Sequence, residues 1–212
     1  MIVNASNPPG LRDRKKAATR QAISNIATRL FVERGFENVS VAEIARAAAV
    51  ARKTVFNYFP RKEDLVFDRE EEVLELVRQA LAQRGRQAPV HAFQALVRAL
   101  VESQHPLLRI TERPVQFWRA VAESPALTTR AQELQVTLAD DLAGMLSDAV
   151  GRPRTDPAGR LAAAMLMGTL VVAYGEALAA FRENRKPMKA LVGVLERGFT
   201  GVNVALAGTP YV

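Results

Sequence analysis

The sequence predicts an all-α fold in two parts, a small basic N-terminal unit of three helices and a larger helical body. Three observations predict it. Apolar residues recur at helical spacing along most of the chain, and strand-like alternation is nearly absent. Gly and Pro punctuate the helical stretches with short breaks. Positive charge gathers at one end. Of a net charge of +7, residues 1–62 carry 12 Lys/Arg against 4 Asp/Glu, while residues 63–212 carry 17 against 18. A basic module on a neutral body suits a polyanionic partner at one end and another task at the other.

Composition removes several classes of function. The 212 residues can bury a real core, and 49% hydrophobic with 24% charged is ordinary for a globular chain. There is no cysteine, which excludes disulfides, thiolate zinc sites and cysteine nucleophiles. His91 and His105 are the two histidines, and no ligand spacing surrounds them. No metal and no cofactor are expected. Nor is there a Gly-rich phosphate loop, a nucleophile elbow or a His–carboxylate cluster, so the chain does not read as an enzyme. Residues 1–10 lack the basic-then-apolar pattern of a leader. The longest uncharged apolar stretch, Leu161 to Gly175, is 15 residues. That is short of a membrane span and reads as a helix buried in protein. A cytoplasmic chain without a membrane partner is expected.

The first helix is expected from about Arg12 to Arg34, with Ile23, Ile26, Ala27, Leu30 and Phe31 on one face. Gly35 follows as its left-handed terminator. Ser40 and Glu43 form a capping box for a second helix, with Val39 and Ile44 as its hydrophobic staple. That helix is short, because another begins near Ala51, holds Arg52 to Phe59 and stops at Pro60. Longer helices are expected at about 62–84, 89–104, 106–122, 125–150, 157–183 and 188–207. Pro157 takes the first helical position of the penultimate one behind an Asp156 cap. The approach to Gly10 and the tail Gly208–Val212 are expected to be mobile.

Two short helices separated by a few residues, behind a longer one, describe a helix-turn-helix. Its second member reads the major groove with its N-terminal residues, here Arg52 and Lys53. Thr54, Asn57 and Tyr58 add hydroxyl and amide groups. Val55 and Phe59 point inward against Ile44. Phe56 reads two ways, as core packing or as a base contact, and Tyr58 as a half-buried core residue or a DNA contact. The run Phe31-Val-Glu-Arg-Gly-Phe-Glu-Asn-Val-Ser-Val-Ala-Glu-Ile-Ala45, then Val50 and Thr54-Val-Phe-Asn-Tyr-Phe-Pro-Arg-Lys-Glu-Asp-Leu65, resembles the DNA-binding signature of the tetracycline-repressor (TetR) family. The resemblance covers roughly residues 12–65. It implies phosphate contacts from Thr54, Tyr58 and Lys62, base reading by Arg52, Lys53 and Phe56, and a Ser40 cap that aims the second helix at a phosphate. The basic run Arg12, Arg14, Lys15 and Lys16 would touch the backbone or minor groove, or form a basic tail. Three positions depart from the family pattern: Ala49 at the turn glycine, Ala51 at the Ser/Thr cap, and Arg61 at a small capping residue.

Residues 1–61 are thus expected to be the arm and DNA-binding domain, and 62–212 the effector-binding and dimerisation domain. Reading a palindrome requires two chains. The helices near 157–183 and 188–207 are the candidates for a homodimer interface. Ala162, Ala163, Ala164, Gly168 and Gly175 allow close approach on one, and Met188, Leu191, Val192, Leu195, Phe199 and Val202 form a stripe on the other. An intrachain core is the competing reading of both. Phe93, Leu96, Leu100, Phe117, Trp118, Val121, Met145, Met165 and Tyr174 read as core or as the lining of an apolar effector pocket, with Gln116 or Arg119 orienting a polar end. The expected function is a sequence-specific repressor that leaves a palindromic operator when a small apolar inducer tilts the helix after Arg61. The alternatives are a helical DNA-binding factor without an effector, and a helical small-molecule-binding protein or enzyme.

Overall fold

A computed structural model describes residues 10–212. The leader reading of residues 1–10 and the mobility expected of the approach to Gly10 rest on residues 1–9, which lie outside that range. Among the described residues there are nine α-helices, one 3-10 turn and no strand. The chain divides into a first unit ending at Asp68 and a second unit, Arg69–Val212.

The first unit holds α1 (Leu11–Arg34), α2 (Val41–Ala47), α3 (Arg52–Tyr58) and a 3-10 turn at Glu63–Leu65. Its core is Ile23, Ala27, Val39, Ile44, Ala45, Val55, Phe59 and Leu65. Ile23 and Ala27 of the expected α1 face, the staple and the inward pair Val55 and Phe59 enter it, Leu30 and Phe31 pack against its edge, and Ile26 stands outside it. Gly35 ends α1 at φ 81°, and its N–H donates to Phe31 O at 2.9 Å. That φ lies in the region where a side chain is strained. The basic run Arg12 to Lys16 falls inside the first turns of α1, so it is helical and not an arm ahead of the fold.

The stretch expected as one helix from residue 62 is broken. After the 3-10 turn, regular helix resumes only at α4 (Glu70–Ala82). Leu65 is 1% exposed. Arg20 donates to Asp68 O at 3.2 Å, and the Ser24 hydroxyl bonds the Asp68 carboxylate. These contacts hold the segment to the first unit, where one straight helix would carry it away.

The second unit adds α5 (Pro89–Glu102), α6 (Glu112–Glu123), α7 (Pro125–Ala149), α8 (Pro157–Arg182) and α9 (Pro187–Ala205). Helix α8 packs on both α7 and α9. Asp156 Oδ1 accepts the Ala158 N–H at 2.9 Å, as the cap predicts. Helix α6 starts at Glu112 rather than 106, because residues 103–111 form turns. The tail Gly208–Val212 is anchored, contrary to expectation. Tyr211 is fully buried. Its hydroxyl lies 3.1 Å from Ser147 Oγ, and its carbonyl accepts the Val90 N–H at 3.1 Å. The terminal position suggested mobility, and one large buried ring overrides it.

Candidate nucleic-acid interface

Helix α3 is positioned by its buried side. Val55 and Phe59, each 1% exposed, hold it against the first-unit core. The helical period then turns Arg52, Lys53, Phe56 and Asn57 outward. All four are exposed, while Thr54 and Tyr58 are half-buried. Tyr58 packs on the rim of the core. Phe56 is 37% exposed and stands outside that core. The structure thus separates the two aromatic residues that the sequence left ambiguous. Arg52 Cζ lies 5.4 Å from the Phe56 ring centroid, within cation–π range.

Helix α2 is fixed by its cap. The Ser40 hydroxyl donates to Glu43 Oε2 at 2.8 Å and accepts the Glu43 N–H at 3.2 Å, and Glu43 Oε2 accepts the Ser40 N–H at 2.9 Å. Arg34 Nη2 reaches Glu43 Oε1 at 2.7 Å. The Ser40 N–H, then the Ser40 hydroxyl, then Arg34 bring the Glu43 pKa down to about 2. The Ser40 hydroxyl is therefore committed to the cap.

Lys62 is half-buried. Its Nζ donates to Phe36 O at 2.6 Å and sits 4.1 Å from the Phe36 ring centroid. Burial lowers its pKa below the ordinary lysine value, against the opposing pull of Glu37, Glu63 and Glu43. Sequence reasoning did not find this anchoring contact, because Phe36 and Lys62 are 26 residues apart. The turn before α3 carries Ala49 at φ 54°, so the missing turn glycine leaves an alanine in left-handed backbone. Ala51 offers α3 no side-chain cap.

In the second unit neither of two cavities gathers the nine candidate pocket residues. Phe93 and Val121 are each 4% exposed. Phe93 belongs to the main core, and Leu96, Met145, Met165 and Tyr174 pack against it. Phe117 meets Trp118 edge-on at 5.3 Å, and Trp118 meets Tyr174 at 6.1 Å. Burial raises the Tyr174 pKa, against the Trp118 hydrogen bond. Leu100 lines a cavity of about 220 Å3 with Leu108, Arg109 and Met188. A groove of about 390 Å3 between α7 and α8 involves none of the nine. Gln116 and Arg119 are exposed; Gln116 bonds Glu112, and Arg119 lies 3.9 Å from Glu123. The sequence reading missed Gln94, which is 2% exposed and donates to Asn203 Oδ1 at 2.9 Å. A polar residue within the apolar face of α5 was the available signal.

Helices α8 and α9 divide into core and exposed residues. Ala162, Ala163, Leu191, Leu195, Phe199 and Val202 are at most 2% exposed in the single chain. Those residues of the expected interface are intrachain core. Ala164, Gly175 and Val192 of the expected interface are exposed, and beside them Leu161, Val171 and Val172 of α8 and Val204 of α9. By length and composition α8 could cross a membrane, and only 28% of its most apolar window is buried. The helix expected to be buried in protein is thus buried on one side only in the single chain. No group of three or more metal-binding side chains occurs among the described residues.

The sequence model for bacterial regulatory proteins of the tetR family matches residues 23–68, the segment that builds this α1–α3 framework. Over these residues the chain is similar to the tetR family's DNA-binding domain. Relatives within the family match it mostly at this end. The HTH-type transcriptional regulator TcmR of Streptomyces glaucescens is 41% identical over 59 residues, 28% of this chain and 26% of TcmR. HbdR of Aromatoleum sp. is 31% identical over 107 residues, 48% of this chain and 46% of HbdR. The chain spans about a quarter of the length of the first curated relatives it matches. The crystal structure of Thermus thermophilus FadR, a TetR-family transcriptional repressor in complex with lauroyl-CoA, is 28% identical. It covers 86% of this chain and 94% of FadR, with a TM-score of 0.52. The tetR fold, a helix-turn-helix followed by a larger helical domain, thus extends over most of the chain.

Proposed function

We propose that this chain is a sequence-specific, DNA-binding transcriptional repressor of the tetR family. The observation that carries the reading is the outward face of α3. Arg52, Lys53, Phe56 and Asn57 project to solvent on a helix whose other side is locked into a core. That is how a recognition helix meets base edges. The net charge of +8 on residues 1–62 supplies the attraction to phosphate. In this reading Thr54, Tyr58 and Lys62 contact the backbone, and Ser40 holds α2 in register. Residues 1–61 serve DNA and residues 62–212 serve effector and dimer. The protein works where DNA is, in the cytoplasm.

The chain acts as a homodimer through α8 and α9. The support is the run Leu161, Ala164, Gly168, Val171 and Gly175, spaced three or four residues apart on α8, with the exposed Val172 beside it. A small apolar ligand binds the second unit and favours a state whose recognition helices no longer fit successive grooves. FadR, with its lauroyl-CoA, makes acyl thioesters the first class to try. A second reading, a DNA-binding factor without effector, is favoured by the side chains at the candidate pocket. Phe93 and Val121 are buried, and Phe117, Trp118 and Tyr174 fill space against one another.

Selection of random duplex DNA against the purified protein tests the claim. The expected product is a palindrome with half-sites about one helical turn apart. No enrichment at low salt with folded protein overturns it. Lauroyl-CoA and an apolar panel added to the selected complex then separate the two readings, since release supports the effector-controlled repressor and no release supports the second. Val172→Glu is expected to yield a monomer by sedimentation.

A further inference from the structure

Resting on that DNA-binding reading, we propose that Arg52 and Phe56 act together to read a guanine beside a thymine in the major groove. The Arg52 guanidinium takes guanine O6 and N7, and the Phe56 ring packs on the methyl of the neighbouring thymine.

Several features of α3 point there. Arg52 and Phe56 are one turn apart and share a face. No carboxylate pairs with Arg52 among the described residues, whereas Arg34, on α1, is already committed to Glu43. Instead Arg52 rests 5.4 Å from the Phe56 centroid. A guanidinium carries its donors in its own plane. A ring stacked on the face of the group leaves that fork open for a bidentate acceptor. In the major groove the matching acceptor is guanine O6/N7, while adenine offers a donor where guanine has O6. Phe56 itself has no polar atom. An aromatic ring held at 37% exposure, outside the core, finds its best apolar contact on the groove edge at the thymine C5 methyl. Neighbouring bases rise about 3.4 Å along a strand, so two side chains this close fall on adjacent bases. The contact also orders Arg52 before DNA arrives, which lowers the entropy lost on binding.

The test begins with duplex selection and continues atom by atom. On the selected operator, each thymine is replaced in turn by deoxyuridine, which lacks the methyl. Each guanine is replaced by 7-deazaguanine, which lacks N7. Affinities are measured for the wild type, Phe56→Ala and Arg52→Ala, each checked for folding by its thermal midpoint. The expected half-site contains adjacent G and T. Uracil at that thymine weakens wild-type binding about fourfold, the worth of one buried methyl. Deazaguanine beside it weakens binding about tenfold. Phe56→Ala binds more weakly and no longer distinguishes thymine from uracil, and Arg52→Ala no longer senses N7. Overturning results are a half-site without adjacent G and T, no uracil effect at any position, or a Phe56→Ala protein as methyl-sensitive as the wild type. In those cases operator binding survives and only the paired readout fails. Failure to select any sequence would overturn the DNA-binding reading as well.

Discussion

The two units differ in what their side chains are for. In the first unit, seven-residue α3 divides its positions cleanly. Val55 and Phe59 fill the core, and Arg52, Lys53, Phe56 and Asn57 face outward. In the second unit α8 also shows two sides, but both are apolar. Ala162, Ala163, Leu166 and Ala173 are buried, while Leu161, Val171 and Val172 are exposed. A polar outer face selects its partner by donors and charge. An apolar outer face selects only for shape. The first unit is therefore specified by residue identity and the second by volume and close approach.

The largest expected effects come from testing volume in the second unit. Tyr211→Ala empties a site that is fully buried beside Ser147 and Gly159. It should cost about 3–5 kcal/mol, as buried aromatic truncations do. Segment-resolved amide exchange should show α5, α7 and α8 loosened with α1–α3 unchanged. Equal loosening of both units would erase the distinction. Next comes Gly198→Ala in α9. A Cβ there would run into the Thr169 side chain of α8, so overpacking should cost about 1–3 kcal/mol. An unchanged thermal midpoint would show that the α8–α9 contact is slack.

The same contrast governs what the sequence makes legible. The Ser40–Glu43 box, the Val39–Ile44 staple and the Gly35 terminator are local patterns, each set within five residues, and each appears in the structure. Contacts across distance are not legible. Nothing near Lys62 indicates that it will reach Phe36, and nothing near Gly208 indicates that Tyr211 will plug the second core. The candidate pocket is obscure for the same reason. Phe93, Trp118 and Met165 read alike whether they surround a ligand or one another. Helix boundaries near 62–69 and 103–111 also shifted, because tertiary contacts decide them.

Smaller effects test identity in the first unit. Ser40→Ala removes the cap of α2 and should cost about 1 kcal/mol, read from the unfolding midpoint. Ala49→Gly works the other way. Ala49 sits at φ 54°, and relieving left-handed backbone should recover on the order of 1 kcal/mol. A midpoint that falls in Ala49→Gly would mean that chain entropy outweighs strain at this turn.

The smallest effect is a titration. The Glu43 carboxylate is held down to about 2 from an ordinary 4.5 by the Ser40 N–H and hydroxyl and by Arg34. A carboxyl whose folded pKa is depressed stabilises the fold fully above its unfolded value and loses that contribution as pH falls through the folded one. The capping box should therefore hold α2 at neutral pH and release it between about pH 4.5 and 2. Proton exchange at the Ser40 amide, followed by NMR, reads this directly, because that N–H is bonded to the titrating group. Glu43→Gln should remove the acid-dependent step in that window while leaving the α8–α9 signals untouched. If the step persists in Glu43→Gln, another carboxyl controls α2, and the first unit is less locally specified than its capping box implies.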